Sequence, residues 1–154
     1  MKAIEIYMNI NGRGAEAITF YEEAFNTKAE HVTTFAQGWP DCPPELEHLI
    51  MNAQFNIDGI RMQLSDNNPI FDFQIGQNMT AALIVESVEE AQELFNKLSR
   101  DAMNIKMPLQ AVPWSPAYGN VTDKYGMTWQ IIPTNKAKNG VHKLLAVDTP
   151  AKCS

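Results

Sequence analysis

The sequence predicts an α+β fold of two tandem βαβββ units, and three observations carry that prediction. First, Ala17, Phe20, Tyr21, Ala24 and Phe25 form the apolar stripe of an amphipathic helix, and Ala91, Leu94, Phe95 and Leu98 repeat its spacing 74 residues later. Second, a β-like run precedes each stripe and three more follow it. Third, DGIRMQLSD from Asp58 and YGMTWQIIP from Tyr125 superpose at an offset of 67, matching Gly59 to Gly126, Met62 to Trp129 and Gln63 to Gln130.

In chain order, the first unit opens with a strand over Ala3 to Ile10, followed by the first helix. Its other strands are expected over Glu30 to Phe35, His48 to Ile57 and Ile60 to Ser65. An extra loop, QGWPDCPPELEH from Gln37 to His48, accounts for the seven-residue difference between the two offsets, and its prolines block a continuing ladder. The stretch from Ser65 to Asn78 reads as a connector that docks its Ile-Phe-x-Phe aromatics. The second unit begins with Thr80 to Val85. Ser87 and Glu90 then form a capping-box pattern, which starts a helix near Ser87. Strands over Ile105 to Ala111, Tyr118 to Thr122 and Met127 to Ile132 complete it. The boundaries are therefore 1–66 and 79–133 for the units, 67–78 for the connector and 134–154 for a tail. The tail holds four Lys and one Asp, giving +3 against −9 for the rest, and its Val-x-x-Leu-Leu-x-Val cluster is expected to pack, for example on a partner subunit.

Composition narrows the function. With 154 residues there is room for one compact domain or two small halves. The net charge of −6 has the wrong sign for neutralising phosphates, so nucleic acid is not an expected partner. The longest apolar runs, such as Ala81 to Val85, fall far short of the ~20 residues of a spanning helix. The N-terminus lacks the pattern of a secretory leader, so a cytoplasmic location is expected. Cys42 and Cys153 have no paired spacing and read as incidental thiols.

The run N-G-x-G-x-E-A-I-x-F-Y-x-E-A-F from Asn11 to Phe25, the strand IRMQLSD, the S-V-E-E-A helix start and MPLQAVPWSPAYGNVTDKYGMTWQI from Met107 to Ile131 together resemble the vicinal oxygen chelate superfamily, and within it the PhnB-like branch. That superfamily includes glyoxalase I, extradiol dioxygenases and bleomycin-resistance proteins. The resemblance implies that the two units form curved mixed sheets around a cleft, with the helices outside. Strand alternation agrees: Ile60, Met62 and Leu64, and Met127, Trp129 and Ile131, point toward the helices, while Arg61, Gln63, Thr128 and Gln130 point toward the cleft.

In the superfamily's metal-dependent members, ligands sit on the first and fourth strands of each unit. Carried over, those positions are Ile6, Gln63, Thr80 and Gln130, which are poor ligands for divalent metals, so no metal cofactor is expected. Met51-Asn52-Ala53 stands where the PhnB-like pattern has a histidine. His31, His48 and His142 are scattered, and Ser115 has no local base. Asp123 in T-D-K-Y-G reads as an Asx turn. No strand is expected to lead into a Gly-rich phosphate or nucleotide turn, which sets aside the methyltransferase label attached to some family members.

The sequence-level reading is a homodimeric protein that binds a small polar or anionic molecule. Arg61, Gln63, Gln130 and Thr80 would provide polar contacts, and Trp114 with Tyr118 an aromatic wall. An internal Arg61–Glu5 ion pair is the simpler account of Arg61. No catalytic residue can be assigned. The alternatives are a metal-dependent lyase, isomerase or dioxygenase, and a drug-sequestering protein.

Overall fold

The computed structural model describes residues 1–134. Two four-stranded sheets share one connectivity. The first, in spatial order β1-β4-β3-β2, is built from β1 (Ile6–Ile10), β2 (Ala29–Thr34), β3 (Ile50–Ile57) and β4 (Ile60–Asp66). The second, in order β5-β8-β7-β6, is built from β5 (Ala81–Val85), β6 (Asn104–Val112), β7 (Ser115–Thr122) and β8 (Thr128–Pro133). Helix α1 (Gly14–Phe25) follows β1 and helix α3 (Val88–Leu98) follows β5, so the described chain is α+β with two βαβββ units in tandem. In each sheet the first strand runs parallel to the last, and the other pairings are antiparallel. The sheets are not closed into a barrel.

One apolar cluster unites the two units. Ala17, Phe20, Tyr21 and Ala24 of α1 and Ala91, Phe95 and Leu98 of α3 are buried with Met62 and Leu64 of β4 and Trp129 and Ile131 of β8. Tyr21 lies at its centre: the rings of Phe20, Phe55, Tyr125 and Trp129 approach it at centroid distances of 5.2 to 6.5 Å, three of them edge-on. Its hydroxyl donates to Asp123 at 2.7 Å, tying α1 to the β7–β8 turn.

The two helices begin differently. Ser87 Oγ accepts from the Glu90 N–H at 3.0 Å, as the capping pattern predicts, while the Glu90 carboxylate accepts from Glu86 N–H, one residue upstream of the reciprocal partner. Helix α1 has no local side-chain cap. Instead the Asp66 carboxylate at the end of β4 accepts from Gly14 N–H at 2.8 Å and from Ile50 N–H at 2.9 Å. A Cβ on Gly14 would stand 2.5 Å from that carboxylate, which explains the glycine.

Several expectations are corrected. Strand β1 starts at Ile6 rather than Ala3, because its ladder with β4 begins at the Ile6–Met62 pair. The loop after β2 contains a short helix, α2 (Phe35–Gly38), and a 3-10 turn at Pro44–Leu46. The Gln37 side chain accepts from Thr34 N–H, and proline sits at the start of the 3-10 turn, where no donor is needed. Ile60 is 70% exposed instead of packing beneath α1, since it lies beyond the helix at the hairpin end. In the connector, Ile70 and Phe71 are exposed. Phe73 is half-buried, and Ile75, 43% exposed, lies against Gly126. His142, Cys153 and the tail's apolar cluster lie outside the described residues.

Candidate functional site

Alternation leaves each sheet with a polar row on the face turned away from the apolar cluster. In the first sheet, the parallel register sets Tyr7 beside Gln63, and the antiparallel register sets Gln54 beside Gln63 and Asn56 beside Arg61. Arg61 Nε donates to Glu5 Oε2 at 2.7 Å, and Gln63 Nε2 donates to the same oxygen at 3.1 Å. Asn52 Nδ2 donates to Gln63 Oε1 and to the Tyr7 hydroxyl, and Gln54 donates to Asn52 Oδ1. Glu5, Tyr7, Asn52, Gln54, Arg61 and Gln63 thus form one connected network. The Arg61 hydrogen bond holds the Glu5 carboxyl below its ordinary range, with burial opposing, and Glu5 raises the Arg61 guanidinium in turn.

The second sheet carries a shorter row. Gln130 Nε2 donates to Thr80 Oγ1 at 2.8 Å, and Gln130 Oε1 accepts from the Tyr118 hydroxyl at 3.0 Å. Trp114 stands edge-on to Tyr118 with ring centroids 6.1 Å apart and is 55% exposed. Asn120 lies between Tyr118 and Thr122 on β7 and pairs in register with Gln130, and its Oδ1 is buried without a hydrogen-bond partner. Thr128 shares this face but is buried and hydrogen-bonded to Thr122.

The six residues expected from sequence therefore fall into two groups. Arg61 and Gln63 meet in the first sheet, and Thr80, Gln130, Tyr118 and Trp114 meet in the second. The simpler account of Arg61 is the observed one, an ion pair with Glu5. Glu5, Tyr7, Asn52 and Asn120 enlarge the set. Pairing β1 in parallel with β4 from the sequence would have exposed the first two, because it fixes which β1 residues share a face with Gln63.

The same register corrects the position of Ile6. Its neighbour is Met62, and its side chain packs against the apolar cluster. Glu5 occupies the place in the first unit that Thr80 occupies in the second, each hydrogen-bonded to the glutamine of its last strand. The resulting donor set is Glu5, Gln63, Thr80 and Gln130. Three of these are neutral oxygen donors, and the lone carboxylate is already neutralised by Arg61, which is a poor fit for a tightly held divalent metal. Among the described residues no group of three or more His, Cys, Asp or Glu converges.

Of two concave regions, one borders the rows at Tyr7 and Thr128 and the other lies apart from both. One runs beneath the connector, between Tyr7–Ile10 and Tyr125–Thr128. The other is a groove between α1 and the end of α3, lined by Phe20, Glu23, Arg100 and Lys124. Among the described residues no helix is long and apolar enough to cross a membrane.

Comparison with known proteins agrees with this architecture. The sequence model of the family described as 3-demethylubiquinone-9 3-methyltransferase matches residues 2–132. Protein YjdN of Escherichia coli is 25% identical over 135 residues, covering 81% of this chain and 90% of YjdN. Protein PA1353 from Pseudomonas aeruginosa superposes with a TM-score of 0.77 at 27% identity, covering 86% of this chain and 98% of its own. A putative 3-demethylubiquinone-9 3-methyltransferase, PhnB protein, from Bacillus cereus superposes with a TM-score of 0.71 at 27% identity, covering 86% and 100%. The chain belongs to this 3-demethylubiquinone-9 3-methyltransferase family, the PhnB-like branch of the vicinal oxygen chelate superfamily.

Proposed function

We propose that the protein binds a small polar molecule on the polar sheet faces, without a resident metal, and that it works as a homodimer. The observation that carries this reading is the chemistry of the two rows. Carboxamides and hydroxyls predominate, and the one close charge pair, Glu5 with Arg61, is internally balanced. Such a surface favours a guest that exchanges several neutral hydrogen bonds, and Trp114 and Tyr118 offer it a flat apolar side. An anionic guest remains within the proposal only if it displaces Glu5 from Arg61.

Methyl transfer finds no support in the residues. Strand β1 runs into α1 through a short turn that contains Gly12. However, the Asp66 carboxylate already accepts the Gly14 N–H there, so that helix start is capped from within the chain.

The dimer is supported by two open strand edges. Strands β1 and β5 are two of the four edge strands, the others being β2 and β6, each with one hydrogen-bonded neighbour, and Ile84 on β5 is exposed. Light scattering should give about twice the 17.3 kDa chain mass, and a monomer mass at micromolar concentration would refute the dimer. For binding, a thermal-shift screen of neutral polyols, amides and small carboxylates would be repeated on Gln130→Leu and Arg61→Ala. The reading expects neutral hits that Gln130→Leu abolishes and Arg61→Ala leaves intact. Hits indifferent to Gln130→Leu would overturn it.

A further inference from the structure

The groove between α1 and the end of α3 has the makings of a second site, apart from both polar rows. Its floor is the edge-on pair of Phe20 on α1 and Tyr125 in the β7–β8 turn, both buried, with ring centroids 5.4 Å apart. Its walls are Glu16 and Glu23 of α1, Arg100 and Asp101 after α3, and Lys124 beside Tyr125. A volume of about 360 Å³ suits a small molecule.

Two internal ion pairs account for most of the charge around it. Arg13, at the groove's edge, bonds to Glu16 at 2.8 Å, and Arg100 bonds to Glu23 at 2.7 Å. What remains is one charge of each sign. Lys124 is half-buried, its nitrogen 4.9 Å from the Phe20 ring centroid and 5.5 Å from that of Tyr125. The ring faces attract this cation, but they offer no oxygen to its three N–H donors. Asp101 stands in the turn after α3 with φ of 55°. Among the described residues neither Lys124 nor Asp101 belongs to an ion pair. The Tyr125 hydroxyl is likewise buried without a hydrogen-bond partner. An anionic guest of Lys124 alone would face the free Asp101 carboxylate, and a cationic guest of Asp101 alone would face Lys124. A guest that carries both charges meets an opposite charge at each end.

We propose that this groove binds a zwitterion, a free α-amino acid, with its carboxylate on Lys124 and its ammonium on Asp101. The test titrates the 15N-labelled full chain with each of the common L-α-amino acids in turn at millimolar concentration. Binding predicts amide shift changes for at least one of them, concentrated at residues 20, 100, 101, 124 and 125. The strongest binder is then compared with its N-acetyl and carboxamide derivatives, each of which keeps a single charge. Both should bind about tenfold more weakly, the loss of one charge-assisted contact. Lys124→Gln and Asp101→Asn should each weaken the parent amino acid by about the same factor, and asparagine tolerates the left-handed backbone at position 101. The dispersed Trp129 indole signal reports whether each variant folds; should one unfold, the other variant and the derivatives decide. The proposal is overturned if no amino acid shifts these amides, if a singly charged derivative binds as well as its parent, or if the changes are confined to the polar rows. Folded variants that bind as tightly as the wild type would overturn it too.

Discussion

Replacing Asp123 should be among the most damaging single changes the protein can suffer. Its carboxylate is fully buried and accepts four hydrogen bonds, from the Tyr21 hydroxyl at 2.7 Å, the Trp129 indole at 2.8 Å, and the N–H groups of Tyr125 and Met127 at 2.9 and 3.1 Å. Asp123→Ala strands two donors on side chains that are themselves fully buried, at about 1 to 3 kcal/mol each, and undoes the turn. Part of that loss is offset because a buried charge also disappears. The net cost is about 3 to 5 kcal/mol, a large share of the ~5 to 15 kcal/mol that holds a domain folded. Asp123→Asn keeps one oxygen for the two backbone donors and should cost about 1 to 3 kcal/mol, mainly at the Trp129 indole. Burial pushes the Asp123 carboxyl up from its ordinary 3.8, against the four donors that pull it down. A raised native pKa means stability is fully present below that ordinary value and is lost as pH rises through the native one. The gap between the wild type and Asp123→Asn, which does not titrate, should therefore narrow as pH increases over that window. Urea titrations followed by Trp129 fluorescence at several pH values measure both quantities. An Asp123→Ala protein within 1 kcal/mol of wild type would refute the reasoning, and so would a gap that widens with pH.

Two further predictions follow from single turns. Gly126→Ala places a side chain at φ 91° and against Ile75, so it should cost about 2 to 4 kcal/mol, whereas Gly59→Ala meets only the backbone strain of about 1 to 2 kcal/mol; paired thermal melts compare them, and equal costs would deny the connector contact. Ser87→Ala removes the cap of α3 and should cost about 1 kcal/mol in urea titration, with Ser87→Asp close to neutral.

The sequence was most informative where its signals were local and periodic. The helix stripes, the Ser87 cap and the matched turn ends at Gly59 and Gly126 all appear as spacings, so the two βαβββ units were readable. What escaped depends on partners distant in the chain. The cap of α1 is supplied by Asp66, 52 residues from Gly14, so the glycine looked like a family motif without a mechanism. Asp123 reads correctly as a turn residue, but its grip on Tyr21 spans 102 residues and no local pattern announces it. In the polar rows, a one-residue choice of register on β1 exchanged Glu5 for Ile6. Side chains alternate along a strand, so that small difference turned an inert position into a charged one. Ile60 misled for a related reason: its alternation with Met62 is correct, but it lies where the cover of α1 ends.

The central claim is that the polar rows bind a small polar molecule without a metal, and side-chain amide spectroscopy tests it most directly. Gln63, Gln130, Asn52 and Asn120 each carry an NH2 group whose resonances report contact at that residue. For compounds that stabilise the protein against heat, the account predicts concentration-dependent shifts at these NH2 groups, identical with and without EDTA. Shifts that require an added divalent cation would contradict it, as would stabilising compounds that leave all four NH2 groups unmoved.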